Sequence, residues 1–190
     1  MKTKKNVLSR SLIVVCLLAL LVSPLSADNG QGCDQVTVMG NTVGYLDSMY
    51  GLYFMGTAQV YFKGEENALT ADVTVYLLGT PEVKKNGTQI AMTTHIFEFG
   101  VAMPDGMCEP GEDCFVTEDA AVLIPQKDDA GLFRLRAKTT VMAGEGHFQD
   151  ASGNLRTRGE IQFIPPSDQI PDDGMPDAFA TWMMRGKICD

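Results

Sequence analysis

Apolar and polar side chains alternate with a period of two along most of the chain, as they do in half-buried strands rather than amphipathic helices. Ala71 to Leu77 reads Ala-Asp-Val-Thr-Val-Tyr-Leu. Phe133, Leu135, Ala137, Thr139 and Val141 share one face of a run whose other face carries Arg134, Arg136 and Lys138. Leu155, Thr157, Gly159, Ile161 and Phe163 repeat the pattern against Arg156, Arg158, Glu160 and Gln162. Gln35 to Met39, Ala58 to Lys63, Gln89 to Phe99, Phe115 to Ile124 and Phe179 to Ile188 complete a set of about eight predicted strands.

Turn chemistry separates these runs: Gly64-Glu65-Glu66-Asn67, Lys85-Asn86-Gly87, Asp128-Asp129-Ala130-Gly131, Gly144-Glu145-Gly146 and Ala151-Ser152-Gly153-Asn154. Only Asp47 to Phe54 reads as a short helix. Eight strands without a linker-like interruption predict one all-β domain over residues 28–190, an antiparallel barrel or sandwich. Closure into a barrel removes exposed sheet edges and is the favoured form.

The first 27 residues read differently. Lys2, Lys4, Lys5 and Arg10 precede an unbroken apolar run from Leu12 to Val22, and small residues follow at Ser26 and Ala27. This is the pattern of a signal peptide cleaved before Asp28, which predicts a secreted or periplasmic product. The run is shorter than the roughly 20 residues a spanning helix needs, and no stable membrane anchor is expected. The chain carries 15 basic and 24 acidic residues, and every basic residue of the leader is lost on cleavage. The remainder is strongly acidic, which argues against nucleic acid as a partner. The charge is uneven: Gly100 to Gly131 holds eight acids and one lysine, Leu132 to Glu160 five basic residues and three acids.

Cys33, Cys108, Cys114 and Cys189 follow the leader, an even number for an oxidising compartment. Three connectivities are open. Spacing favours Cys108–Cys114, across a turn-forming Glu-Pro-Gly-Glu-Asp, and Cys33–Cys189, joining the two ends of the domain. Zinc spacing is missing, the stretch Asp168 to Asp177 does not place oxygen ligands where a calcium loop needs them, and the many methionines fit core filling better than copper. No metal or other cofactor is expected.

His95 shares a strand face with Phe97 and Phe99, so a lumen-facing orientation puts a polar, proton-transferring group in an aromatic pocket. His95 and Phe97 are therefore candidate ligand-binding residues, with His95 the one weak catalytic candidate. Arg134 and Arg136 join them if their face turns inward, where they would hold a carboxylate. Glu98, Glu118 and Asp119 are candidates for a carboxylate pair. No nucleophile elbow, zincin motif or phosphate loop is present.

The stretch from Val141 to Gly159 resembles the glycine-rich turn signature of dirigent proteins and allene oxide cyclase-like barrels, at Gly144, Gly146, Phe148, Ala151 and Gly153. The preceding strand, the His95 strand and the closing Arg185 to Cys189 are also similar to secreted bacterial members. The resemblance implies an eight-stranded antiparallel barrel with a hydrophobic cavity, often trimeric, with Phe148 closing one end. It further implies either a protein that binds a small hydrophobic molecule without turnover, or a cofactor-independent cyclase or isomerase acting on an unsaturated lipid- or polyketide-like substrate. In such cyclases a shaped pocket supplies most of the selectivity.

Overall fold

A computed structural model describes residues 32–49, 51–101, 105–127, 129–165 and 173–189. The leader, and the first half of the acidic stretch Asp168 to Asp177, lie outside the described residues. Among the described residues nine strands form: β1 (Cys33–Asp47), β2 (Gly51–Phe62), β3 (Leu69–Leu77), β4 (Glu82–Val83), β5 (Gln89–Phe99), β6 (Asp113–Pro125), β7 (Leu132–Glu145), β8 (Ser152–Phe163) and β9 (Ala178–Cys189). Eight pair in the order β3-β2-β1-β9-β8-β7-β6-β5, and β5 pairs back onto β3, closing an antiparallel barrel. The short β4 lies outside this ring, against Gln89 and Ile90 at the start of β5. Among the described residues no helix is long and apolar enough to cross a membrane.

The predicted alternation becomes the inside and outside of the barrel. Val36 and Val38 of β1, Ala58 and Val60 of β2, Val73 and Val75 of β3, Leu155 and Ile161 of β8 and Met184 of β9 are buried within it. Arg134, Arg136 and Lys138 are exposed on the outer face. An apolar interior with a charged exterior is the reverse of a membrane-spanning barrel, which needs an outward apolar band.

Two strands run much further than their apolar patterns predict. β1 continues to Asp47 and β2 begins at Gly51, so the stretch read as a short helix is a hairpin, with Asp47 opposite Gly51. Gly51 has a φ of 73°, the left-handed conformation a tight turn demands. The pattern failed here because Gly40, Gly44 and Gly56 interrupt it. These glycines weaken strand propensity but allow close approach of neighbours. Gly44, for instance, lies against the ring of Phe54 and the methyl of Ala178.

Both favoured disulfides form, Cys33–Cys189 and Cys108–Cys114. Cys33 and Cys189 are also register partners on β1 and β9, so the bond ties together the two neighbouring strands that bring the ends of the barrel side by side.

Candidate functional site

The lumen is divided into a filled half and an open half. In the filled half Phe97 stacks on Phe115 with ring centroids 4.4 Å apart, and Phe148 packs on Phe99 at 4.8 Å and on Phe115 at 5.2 Å. Phe148 reaches this position because its chain makes a single 3-10 turn, Gly146–Phe148, between β7 and β8. The glycines of that turn have local reasons. A Cβ on Gly144 would lie 2.1 Å from the Phe148 carbonyl oxygen. Gly146 has a φ of 61° and sits on the Asp113 carboxylate. A Cβ on Gly153 would lie 2.2 Å from the Lys187 carbonyl oxygen. Ala151, the remaining position of the turn signature, is buried.

The open half holds a cavity of about 130 Å³. Its walls are mostly apolar, among them Phe54, Val75, Leu123, Leu135, Ile161 and Ala180. His95, Asp119, Thr157 and the indole of Trp182 also line it. His95 is 6% exposed. Its ring meets Trp182 edge-on, with centroids 5.4 Å apart, and lies parallel to Phe97 at 6.0 Å. The histidine therefore sits at the boundary between the two halves.

A hydrogen-bonded chain runs behind it. His95 Nδ1 is 2.5 Å from Asp119 Oδ2. Thr117 Oγ1 donates to the same oxygen at 3.3 Å, Thr139 Oγ1 donates to Asp119 Oδ1, and Thr139 is 2.6 Å from Thr157 Oγ1. An ionised Asp119 accepts from Nδ1–H, which leaves Nε2 as the nitrogen free to meet a ligand. Among the described residues Nε2 has no hydrogen-bond partner, and no fully buried side-chain nitrogen or oxygen lacks one. It follows that Nε2 keeps access to the cavity. The arrangement can accept a proton from, or donate one to, a molecule held against Trp182.

The sequence candidates separate as follows. His95 faces the lumen. Phe97 does too, but it belongs to the packed aromatic half and does not line the cavity. Arg134 and Arg136 required an inward-turning face; that face turns outward, because the neighbouring Phe133, Leu135 and Ala137 take the interior. Arg134 is within 3.4 Å of the Gln126 side chain on the outside. The carboxylates do not converge either. Asp119 points in, Glu118 is exposed, and Glu98 points outward beneath the loop that follows β5. Adjacent residues of a strand take opposite faces, so Glu118 and Asp119 cannot share a site.

Glu98 is 1% exposed. Its two oxygens accept the backbone N–H groups of Asp105 (3.1 Å) and Gly106 (2.9 Å), which ties the loop to the barrel wall. Burial raises its pKa above the ordinary glutamate value, opposed by those two hydrogen bonds. His147 is exposed in its turn, and its backbone N–H and Nδ1 both bond to Asp113. The backbone bond, then the ring bond, hold the Asp113 carboxyl below its ordinary value. Asp177, the last residue of the acidic stretch, is buried and accepts the Leu46 N–H at 2.6 Å, a structural tie.

Asp119, Thr139, Thr157 and Trp182 are the parts of the site that pattern reading did not assemble. The signal was present as two threonines and one aspartate on otherwise apolar inward faces. No protein-family model matches this chain, and no curated protein or solved structure matches it.

Proposed function

We propose that this chain is an exported barrel of the allene oxide cyclase-like and dirigent-like type that holds a small hydrophobic molecule in the open half of its lumen. The observation that carries the reading is the division of the lumen, with one half packed with aromatic rings and the other kept as an apolar cavity. A cavity of about 150 Å³ in an otherwise packed core is enough to take a benzene-sized ring. The space here is of that order, so the ligand is a small ring or a short stretch of alkyl chain. The glycine turn at Gly144 to Gly153 supports the family reading, and the two disulfides support passage through an oxidising compartment.

Trp182 is the only tryptophan in the chain and lines the cavity, so it reports occupancy directly. Titration with alkylbenzenes of increasing length should change its emission saturably, with a cut-off as the chain outgrows the space. Ala137→Leu, placed to fill the cavity, should remove the response while leaving the melting temperature unchanged or higher. An unsaturable response in the native protein, or an unchanged one in the filled variant, would reject the reading.

A second reading, a cofactor-independent cyclase or isomerase, is favoured by the Asp119–His95 pair at the cavity floor. His95 Nε2 would take the α-proton of a β,γ-unsaturated carbonyl compound and return it at the γ carbon, moving the double bond into conjugation. Cyclohex-3-enone in D2O tests this by deuterium incorporation. His95→Gln should stop exchange and keep alkylbenzene binding. Exchange that survives the substitution removes His95 from any catalytic role.

A further inference from the structure

Six cations stand together on the outer faces of β7, β8 and β9: Arg136, Lys138, Arg156, Arg158, Arg185 and Lys187, all exposed. They are more than half of the basic residues that follow Ala27. Arg136 is directly opposite Arg158, Lys138 opposite Arg156, and Arg156 opposite Arg185. Like charges directly opposite one another weaken a sheet. The ion pairs among the described residues are Lys84–Glu82, His95–Asp119 and His147–Asp113, and none involves these six. Of the acids on these strands, Glu160 sits opposite Arg134 and Glu145 at the far end of β7 opposite Cys114, neither opposite one of the six.

We propose that this face is a binding site for a linear anionic polysaccharide, recognised through its carboxylate or sulfate groups. Neighbouring strands lie about 4.8 Å apart and alternate residues about 6.7 Å apart along a strand. The cations therefore form a lattice that a chain with regularly repeated charges can touch in succession. Four of the six are arginines, whose planar forks match carboxylate and sulfate oxygens in pairs. Asn154, exposed on β8, stands among them opposite Lys187.

The same surface disfavours other anions. Among the described residues no aromatic side chain lies between the cations of β7, β8 and β9, and Tyr61 stands only at the Arg185 edge, so the strip offers neither the run of stacking platforms that single-stranded nucleic acid uses nor the central aromatic anchors of a protein interface. Beyond the strip the domain is strongly acidic. A duplex or an anionic bilayer is broad enough to meet that acidic surface and be repelled. A slender single chain stays on the strip. This proposal does not rest on the cavity reading.

The test uses the secreted protein with dextran sulfate and polygalacturonate as probes, and neutral dextran as control, by calorimetry at low and high salt. Binding to at least one charged polymer, falling steeply with salt and missing with neutral dextran, is expected. The triple variant Arg156→Gln/Arg158→Gln/Arg185→Gln should bind roughly 100-fold more weakly at low salt, by analogy with counterion release from other polyanions. Its melting temperature should hold or rise. If it fails to fold, Lys138→Gln/Lys187→Gln should still weaken binding about tenfold. The same charge change at Lys84, Lys85 and Lys127, none of which borders the strip, should leave affinity within about twofold.

Failure to bind either polymer at low salt overturns the proposal, as does equal weakening by the control triple. Tighter binding to oligo-dT or to phosphatidylglycerol vesicles assigns the face to another anion. Salt-sensitive self-association, lost in the Arg triple without any polysaccharide binding, assigns it to a second copy of this chain.

Discussion

Gly40 on β1 and Trp182 on β9 are register partners, and the indole lies over the glycine so closely that a Cβ at position 40 would come within 2.2 Å of the ring carbon Cζ2. The missing side chain is what lets the tryptophan fold flat into the barrel beside His95. Gly40→Ala should push the ring toward the cavity or distort β1, at a cost of about 1–3 kcal/mol for overpacking. The melting temperature should fall and the Trp182 emission should shift. An unchanged melting temperature and spectrum would show that the ring yields without cost.

The bond between Cys33 and Cys189 closes nearly the whole domain into one loop. Chain-entropy arguments and measured losses of native disulfides put its contribution at about 2–5 kcal/mol. Cys33→Ser/Cys189→Ser should lower the unfolding free energy from urea titration by that amount, with a steeper slope because the freed unfolded chain exposes more surface. Cys108→Ser/Cys114→Ser, which opens a far shorter loop, should cost less. The reverse order would reject the loop-length argument for this barrel.

Glu98 gives a pH dependence with a definite sign. Its folded carboxyl keeps its proton to a higher pH than the unfolded one, because burial beneath the loop raises its pKa from the ordinary 4.5. The folded state therefore binds more protons across that window, and stability falls as pH rises through it. The contribution is complete below about 4.5. Glu98→Gln should abolish this slope. It should also impose a pH-independent loss of about 1–3 kcal/mol, since one amide N–H would face a backbone N–H. Urea midpoints from pH 4 to pH 7 separate the two effects.

Asp113 should act in the opposite direction. His147 holds its carboxyl below the ordinary 3.8, so this stabilisation is present above that value and is lost as pH falls through the lowered one. Asp113→Asn should flatten the acid limb of the stability curve, and His147→Ala should move that limb toward higher pH. Acid titrations of the three proteins decide the matter, and coincident acid limbs would dismiss the pair as a contributor.

Asp119 holds His95 from behind, so Asp119→Asn should disturb the site more than its volume suggests. The amide oxygen takes the Thr139 bond and the NH2 then faces His95 Nδ1–H, a buried mismatch worth about 1–3 kcal/mol. The His95 ring nitrogens, followed by 15N NMR, should lose their fixed tautomer. Retention of the native tautomer would mean that the ring is held by Phe97 and Trp182 instead.

The closed barrel was legible because alternation survives along most strands: Gln89 to Phe99 matches β5 at both ends, and the inward face of β7 is the one the apolar residues mark. Cys33 and Cys189 were legible as partners from their position at the ends. The hairpin of β1 and β2 was not, because Gly40, Gly44 and Gly56 remove the pattern where packing needs space, and only the partner on another strand explains each gap. The same reason hid the site. Whether Phe97 lines a cavity or fills a core depends on Phe115 and Phe148, which arrive from other strands.

Sequence alone determined which residues of each strand share a face, since that follows from a backbone repeat of two that needs no partner. It also marked several of the turns and favoured, among three open connectivities, the cysteine pairing that forms. Tertiary structure decided which face is the lumen for Arg134 and Arg136, where the aromatic packing stops, and which carboxylate stands behind His95. These depend on the register and tilt of strands remote in sequence, and the chain fixes those only when all eight close around one shared core.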